Sequence, residues 1–160
     1  MALLNKFNED LRGYLKSQNE KEVATLRLLL AAIKNKEIEK RAKDGEGELT
    51  DEEIIVLVKK EVKKRKEATE IYKQGGRQEL AEKETAELKF LERYLPAEAS
   101  EAEIEIVVKQ TIEELKPTSG KDFGKVMKEA IARLKGKGDA AVVSQMIKRY
   151  LMNSINIHNE

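Results

Sequence analysis

The chain has 160 residues, of which 38% are charged and only 4% aromatic, with 31 Lys and Arg against 30 Asp and Glu. That near balance names no partner by net charge, and apolar residues recurring at helical spacing exclude disorder and disfavour a β-rich fold. The absence of cysteine excludes disulfides, thiolate metal sites and cysteine nucleophiles.

The first helix is predicted from Leu3, Leu4, Phe7, Leu11, Tyr14 and Leu15, the i, i+3, i+4, i+7 pattern of a helix with one buried stripe. Ser17 to Asn19 end it. Helix two, over Glu20 to Lys43, is apolar almost all round from Val23 to Ile33 and is expected to be the central, most buried helix. Asp44-Gly45-Glu46-Gly47-Glu48 reads as a loop. Thr50 with Glu53 forms a capping box that starts helix three, and Gly75-Gly76 suits the left-handed turn after it. Helix four is expected over Arg77 to Tyr94, stopped by Pro96.

Ser100 with Glu103 repeats the capping box, and Ile104, Val107, Val108, Ile112 and Leu115 make the stripe of helix five. After Pro117-Thr118-Ser119-Gly120, helix six carries Phe123, Val126, Met127, Ala130, Ile131 and Leu134. Lys135-Gly136-Lys137-Gly138 leads to helix seven, with Asp139 as N-cap and Val142, Val143, Met146, Ile147, Tyr150 and Leu151 buried. The expected fold is all-α: an N-terminal bundle of four long helices over 1–95, then a small C-terminal three-helix module over 96–152. Residues 153–160, which have no clear period, are expected to fray. No apolar run approaches the ~20 residues that span a bilayer, and the amphipathic start lacks the apolar core of a secretion signal. The expected location is therefore cytoplasmic, with no membrane role.

Charge is unevenly divided in the second part. Pro96 to Leu115 holds six acids (Glu98, Glu101, Glu103, Glu105, Glu113, Glu114) against Lys109 alone, whereas from Lys116 onward nine bases face four acids. Those bases include Lys121, Lys125, Lys128, Lys135, Lys137, Lys148 and Arg149, which make helices six and seven the basic side. The first part has one dense run, in which Lys59, Lys60, Lys63, Lys64 and Lys66 share a helix face. Closely spaced lysines suit phosphate contact, because neutralising a polyanion releases counterions; the same run also suits a solvated face. The turn with Gly136 and Gly138 precedes a helix N-terminus, where free amides and two lysines favour anions, although a plain connecting turn uses the same residues.

Arg27, Arg65 and Glu84 fall on rows of apolar residues. An unpartnered buried charge is strongly unfavourable, so Glu84 is expected to pair with Arg27 or Arg65 between helices, with an arginine open to a phosphate as the alternative. Gly120-Lys121 lacks the preceding glycine of a phosphate loop. No catalytic constellation, metal site or cofactor is expected: the sole histidine, His158, lies in the expected tail, and the acidic clusters are explained by helix starts.

Taken in order, several segments resemble the YqeY-like family: Leu26-Arg27-Leu28-Leu29-Leu30-Ala31-Ala32-Ile33, Lys63-Lys64-Arg65-Lys66-Glu67, Leu80-Ala81-Glu82-Lys83-Glu84, Tyr94-Leu95-Pro96 and Lys121-Asp122-Phe123-Gly124-Lys125-Val126-Met127. The resemblance covers about Asn5 to Leu151. It implies a C-terminal module similar to the tail of the B subunit of tRNA-dependent glutamine amidotransferase, a helical part that contacts tRNA and is not the catalytic cradle. Where family members often read Lys-Gly-Arg-Ala-Asp-Gly-Lys before the last helix, this chain has Lys135-Gly136-Lys137-Gly138-Asp139-Ala140-Ala141. Lysine in place of arginine loses bidentate geometry there, and Ala141 removes the last cation.

The leading expectation is a non-catalytic accessory protein that binds tRNA or another RNA through Lys121, Lys125, Lys128, Lys135, Gly136, Lys137, Lys148 and Arg149, with Lys59, Lys60, Lys63 and Lys64 extending the surface. The alternatives are a module docking on an aminoacyl-tRNA-processing protein, and a carbon-nitrogen ligase with glutamine as amido donor.

Overall fold

Several helices begin or end where a short polar side chain or a glycine satisfies the backbone groups that a helix terminus leaves open. The computed structural model describes residues 2–158, and within them the chain is helical throughout: α1 (Ala2–Lys16), α2 (Glu20–Asp44), α3 (Asp51–Gln74), α4 (Gln78–Glu92), α5 (Glu101–Leu115), α6 (Phe123–Leu134) and α7 (Ala140–His158), with a 3-10 turn at Gly120–Asp122. Thr50 and Ser100 each accept a hydrogen bond from the amide three residues on, at 3.2 Å, while Glu53 and Glu103 reach back to the cap amides at 2.8 Å. Gly45 and Gly76 take the left-handed conformation after α2 and α3, at φ 76° and 71°.

Two compact units form, Met1–Leu95 and Pro96–Glu160. In the first, α3 packs along α4 and α1 along α2, around Phe7, Leu26, Leu29, Ile33, Ile54, Val58, Phe90, Leu91 and Tyr94. Aromatic edges lock α1 to the end of α4: Phe7 meets Tyr94 at 4.7 Å between ring centroids and Tyr14 meets Phe90 at 5.6 Å. α4 ends at Glu92, short of the expected Tyr94, because the chain tightens into i→i+3 bonds from Tyr94 to Leu91 and from Leu95 to Glu92 that turn the tyrosine ring into the core.

Helix two departs most from expectation. Its apolar residues do surround the helix, yet only Val23, Leu26, Leu29, Ile33 and the hydroxyl-bearing Thr25 are buried. Ala24, Leu28 and Ala31 face outward with Ile38, Leu28 at 63% exposure and Ile38 at 57%. α2 packs on α1 and α3 and touches α4 little, so among the described residues no helix of the first unit covers its outer side.

In the second unit α5, α6 and α7 pack pairwise around Ile104, Val108, Ile112, Val126, Ala130, Leu134, Val143, Ile147 and Leu151. α7 runs on to His158, so residues 153–158 are helical where fraying was expected; residues 159–160 lie outside the described residues. None of the described helices is long and apolar enough to cross a membrane.

Candidate nucleic-acid interface

On α6 the core side takes Val126, Ala130 and Leu134, so the opposite side must face solvent. That side carries Lys125 and Lys128 beside Ala132, and Lys121 in the preceding 3-10 turn and Lys135 at the left-handed cap bring the exposed lysines to four. Among the described residues none of the four sits within an ion pair.

The nearby acids are already engaged. Asp122 turns back to accept the Thr118 and Ser119 amides at 2.9 and 3.3 Å, and these bonds hold its carboxyl below the usual range. Glu129 and Glu114 are both taken by Arg133, whose hydrogen bond to Glu114 is the chief reason that carboxyl is also held low. The outward face of α6 is therefore dominated by ammonium groups, and the helix's one arginine is paired with Glu114 and Glu129.

Lys148 of α7 lies over the Phe123 ring, 5.8 Å from its centroid, which brings it to the end of α6 that carries Lys121 and Lys125. Arg149 is exposed, stacks over Tyr150 at 5.1 Å and donates to its hydroxyl at 3.2 Å. Tyr150 in turn donates to Glu105 on α5, and Lys109 pairs with the same carboxylate at 3.1 Å. The Tyr150 bond, ahead of the lysine, keeps the Glu105 carboxyl below its ordinary value.

The turn at the other end of α6 is tightly specified. Lys135 and Gly136 both take positive φ, 49° and 78°. The Lys137 amide donates to Leu134 at 2.9 Å, and the Lys137 carbonyl accepts from the Ala99 amide at 2.6 Å. Gly138 is buried, and a Cβ there would meet Leu134 Cδ1 at 2.6 Å. The side chains of Lys135 and Lys137 are left exposed. The helix N-terminus behind the turn does not offer the free amides expected of it: Asp139 accepts from Ala141 and Val142 at 2.8 and 3.3 Å. A carboxylate already occupies the place where an anion would sit.

The basic run on α3 is different in kind. Lys60 and Lys63 are exposed and Lys59 is half-buried, but Lys64 pairs with Glu61 at 3.2 Å and Lys66 with Glu92 at 3.8 Å. Glu67 and Glu70 share its exposed side. Nothing places this face against the stripe on α6.

Of the three charges on apolar rows, Arg65 reaches Glu84 at 3.1 Å and also Glu87, a second carboxylate one turn along α4 that sequence reading missed. Arg27 does not join them. It is exposed and lines a shallow cleft with Tyr14, Leu15, Gln18 and Val23, on the side of α2 that has no covering helix.

The family model described as Yqey-like protein matches residues 4–151. Curated fungal relatives carry the name altered inheritance of mitochondria protein 41, mitochondrial. The one from Pyrenophora tritici-repentis is 29% identical over 92% of this chain and 80% of its own length. That from Vanderwaltozyma polyspora is 30% identical over 89% and 78%, and that from Lachancea thermotolerans is 33% identical over 69% of this chain and 58% of its own. These names overturn the cytoplasmic expectation, since the relatives are described as mitochondrial. An amphipathic start without the apolar core of a secretion signal, on which that expectation rested, does not separate the cytoplasm from an organelle.

Proposed function

The chain belongs to the YqeY-like family, and from that premise we propose that it is a non-catalytic RNA-interacting protein that binds tRNA through its C-terminal three-helix module. The observation that carries this reading is the outward side of α6 and its flanking turns, four exposed lysines with no ion pair among the described residues and with the nearby acids Asp122 and Glu129 engaged elsewhere. Lys137 extends the set past the turn, and Lys148 and Arg149 add cations from α7. Lysines spaced in this way bind by releasing counterions from a phosphate backbone. The α3 run, part of it neutralised by Glu61 and Glu92, is secondary.

The test is retention of labelled tRNA by the purified chain, with salt varied. Binding at low salt that weakens steeply as salt rises supports the reading; no retention at low salt sinks it. Replacing Lys125 and Lys128 by alanine should make the salt dependence shallower.

A second reading rests on a separate observation, the uncovered apolar side of α2 with Leu28 and Ile38 exposed, together with Ile106 at 56% exposure among the acids of α5. Exposed apolar side chains of this size suit a protein partner, such as an aminoacyl-tRNA-processing enzyme. Partners recovered with the chain after nuclease treatment favour it; partners lost with the RNA favour the first reading.

A further inference from the structure

We infer that the α6 face is built for the backbone of double-helical RNA and discriminates against single strands. This inference rests on the RNA-binding reading above and narrows it to one form of RNA.

Proteins that hold single strands place aromatic rings for the bases to stack on, and proteins that read bases use arginine or amide side chains in paired geometry. α6 itself offers neither in a free form, and Arg149 on α7 donates to the Tyr150 hydroxyl and lies over its ring. The second unit has two Phe and Tyr side chains, Phe123 and Tyr150, and both are committed. Phe123 packs against the core beneath Lys148. Tyr150 is held through its hydroxyl by Glu105 and lies beneath Lys109 and Arg149. Arg133, the arginine of α6, is locked between Glu114 and Glu129.

What remains outward is a set of lysine ammonium groups on α6 and the turns that flank it. Such a set gains most from a partner whose phosphates are fixed in space and dense in charge. A duplex provides that array without an ordering cost, whereas a single strand must be ordered along the lysines with no stacking to compensate. Counterion release is also larger for duplex, about 0.9 per phosphate contact against about 0.7 for a single strand. Contacts through lysine alone carry no base information, so recognition is by shape and charge.

The experiment uses the full chain and two labelled probes, an RNA duplex of about 16 base pairs, the span of a shape-reading double-stranded RNA domain, and a non-pairing RNA strand of equal length. Anisotropy titrations at a series of salt concentrations give both affinities and both salt slopes. The expected result is about tenfold tighter binding of duplex, the margin that one missing stacked base represents. Four lysines give a log-log salt slope near −3.6 for duplex. Lys125→Ala with Lys128→Ala should reduce that slope by about two, and the comparison pair Lys60→Ala with Lys63→Ala, on the secondary α3 run, should change it by less. All four side chains are exposed, and circular dichroism checks that the variants fold.

Equal or tighter binding of the single strand overturns the inference while leaving RNA binding intact. Duplex binding that is lost in the α3 comparison pair and kept in the α6 variant overturns the assignment to α6. Failure to bind either probe at low salt removes the RNA-binding reading itself.

Discussion

The Arg65 guanidinium on α3 donates to the Glu84 carboxylate on α4 at 3.1 Å, and the same nitrogen also serves Glu87. The arginine side chain is 12% exposed and the two carboxylates are 21% and 20% exposed, so solvent screens the group only in part. One cation thus holds together two acids on neighbouring turns of a facing helix. Arg65→Ala would leave those acids facing each other, and it should cost about 3 kcal/mol in chemical denaturation. Arg65→Met combined with Glu84→Gln and Glu87→Gln should recover most of that loss, since the remaining groups are neutral. A cost below about 0.5 kcal/mol for Arg65→Ala, the range of an ordinary surface change, would show the cluster to be ornamental.

Tyr94 ties the end of α4 to α1 by donating to Asp10 at 2.6 Å. Burial, followed by the bond to the Asp10 carboxylate and its charge, raises the phenol well above its ordinary value. A raised value in the folded state means that the folded chain keeps this proton more tightly than the unfolded one. The stability so gained is present below about pH 10, the ordinary tyrosine value, and is lost as pH rises toward the folded value. Tyr94→Phe should cost about 1–2 kcal/mol at neutral pH and should flatten the decline above about pH 10. Parallel decline of both proteins in alkaline melting curves would contradict the linkage.

Gly138 has no Cβ because Leu134 and Val143 fill the space, at 2.6 and 3.2 Å from where it would lie. Gly138→Ala should therefore destabilise the second unit by about 1–3 kcal/mol through overpacking. A thermal melt within error of the original would mean that the α6–α7 turn relaxes freely.

The capping boxes at Thr50 and Ser100 make a matched pair in different units. Each alanine substitution should cost about 1 kcal/mol. A Glu103→Ala change should remove a further part, because Glu103 serves the Ser100 amide at 2.8 Å. If Ser100→Ala leaves the unfolding midpoint unchanged, the cap contributes nothing to the start of α5.

The caps could be read from the sequence because their partners lie three residues apart, and the stripe of α6 follows from residue spacing in the same way. Helix two was harder. A helix apolar on every side gives no clear signal for which side a neighbour covers, so the apolar row that carries Arg27 reads as inward, whereas Arg27 and the adjacent Leu28 lie outward. Glu87, absent from the sequence reading, lies one turn from Glu84 on the same side of α4, and one guanidinium reaches both. The anion-binding reading of the α7 start failed for a local reason: Asp139 is both the cap and the competitor. The bond from Ala99 to Lys137 joins segments 38 residues apart, and no short-range pattern announces it.

That bond makes a built-in reporter. The Ala99 amide is protected only while the Lys135–Gly138 turn keeps its shape, because its acceptor is the carbonyl of Lys137. Its deuterium exchange should thus follow the opening of the turn and not the fraying of α5, whose own first amides are capped by Ser100. A ligand that settles on Lys135 and Lys137 should slow exchange at Ala99, at a residue it does not touch. The occupancy of one end of the lysine row could then be followed by mass spectrometry from a single backbone proton.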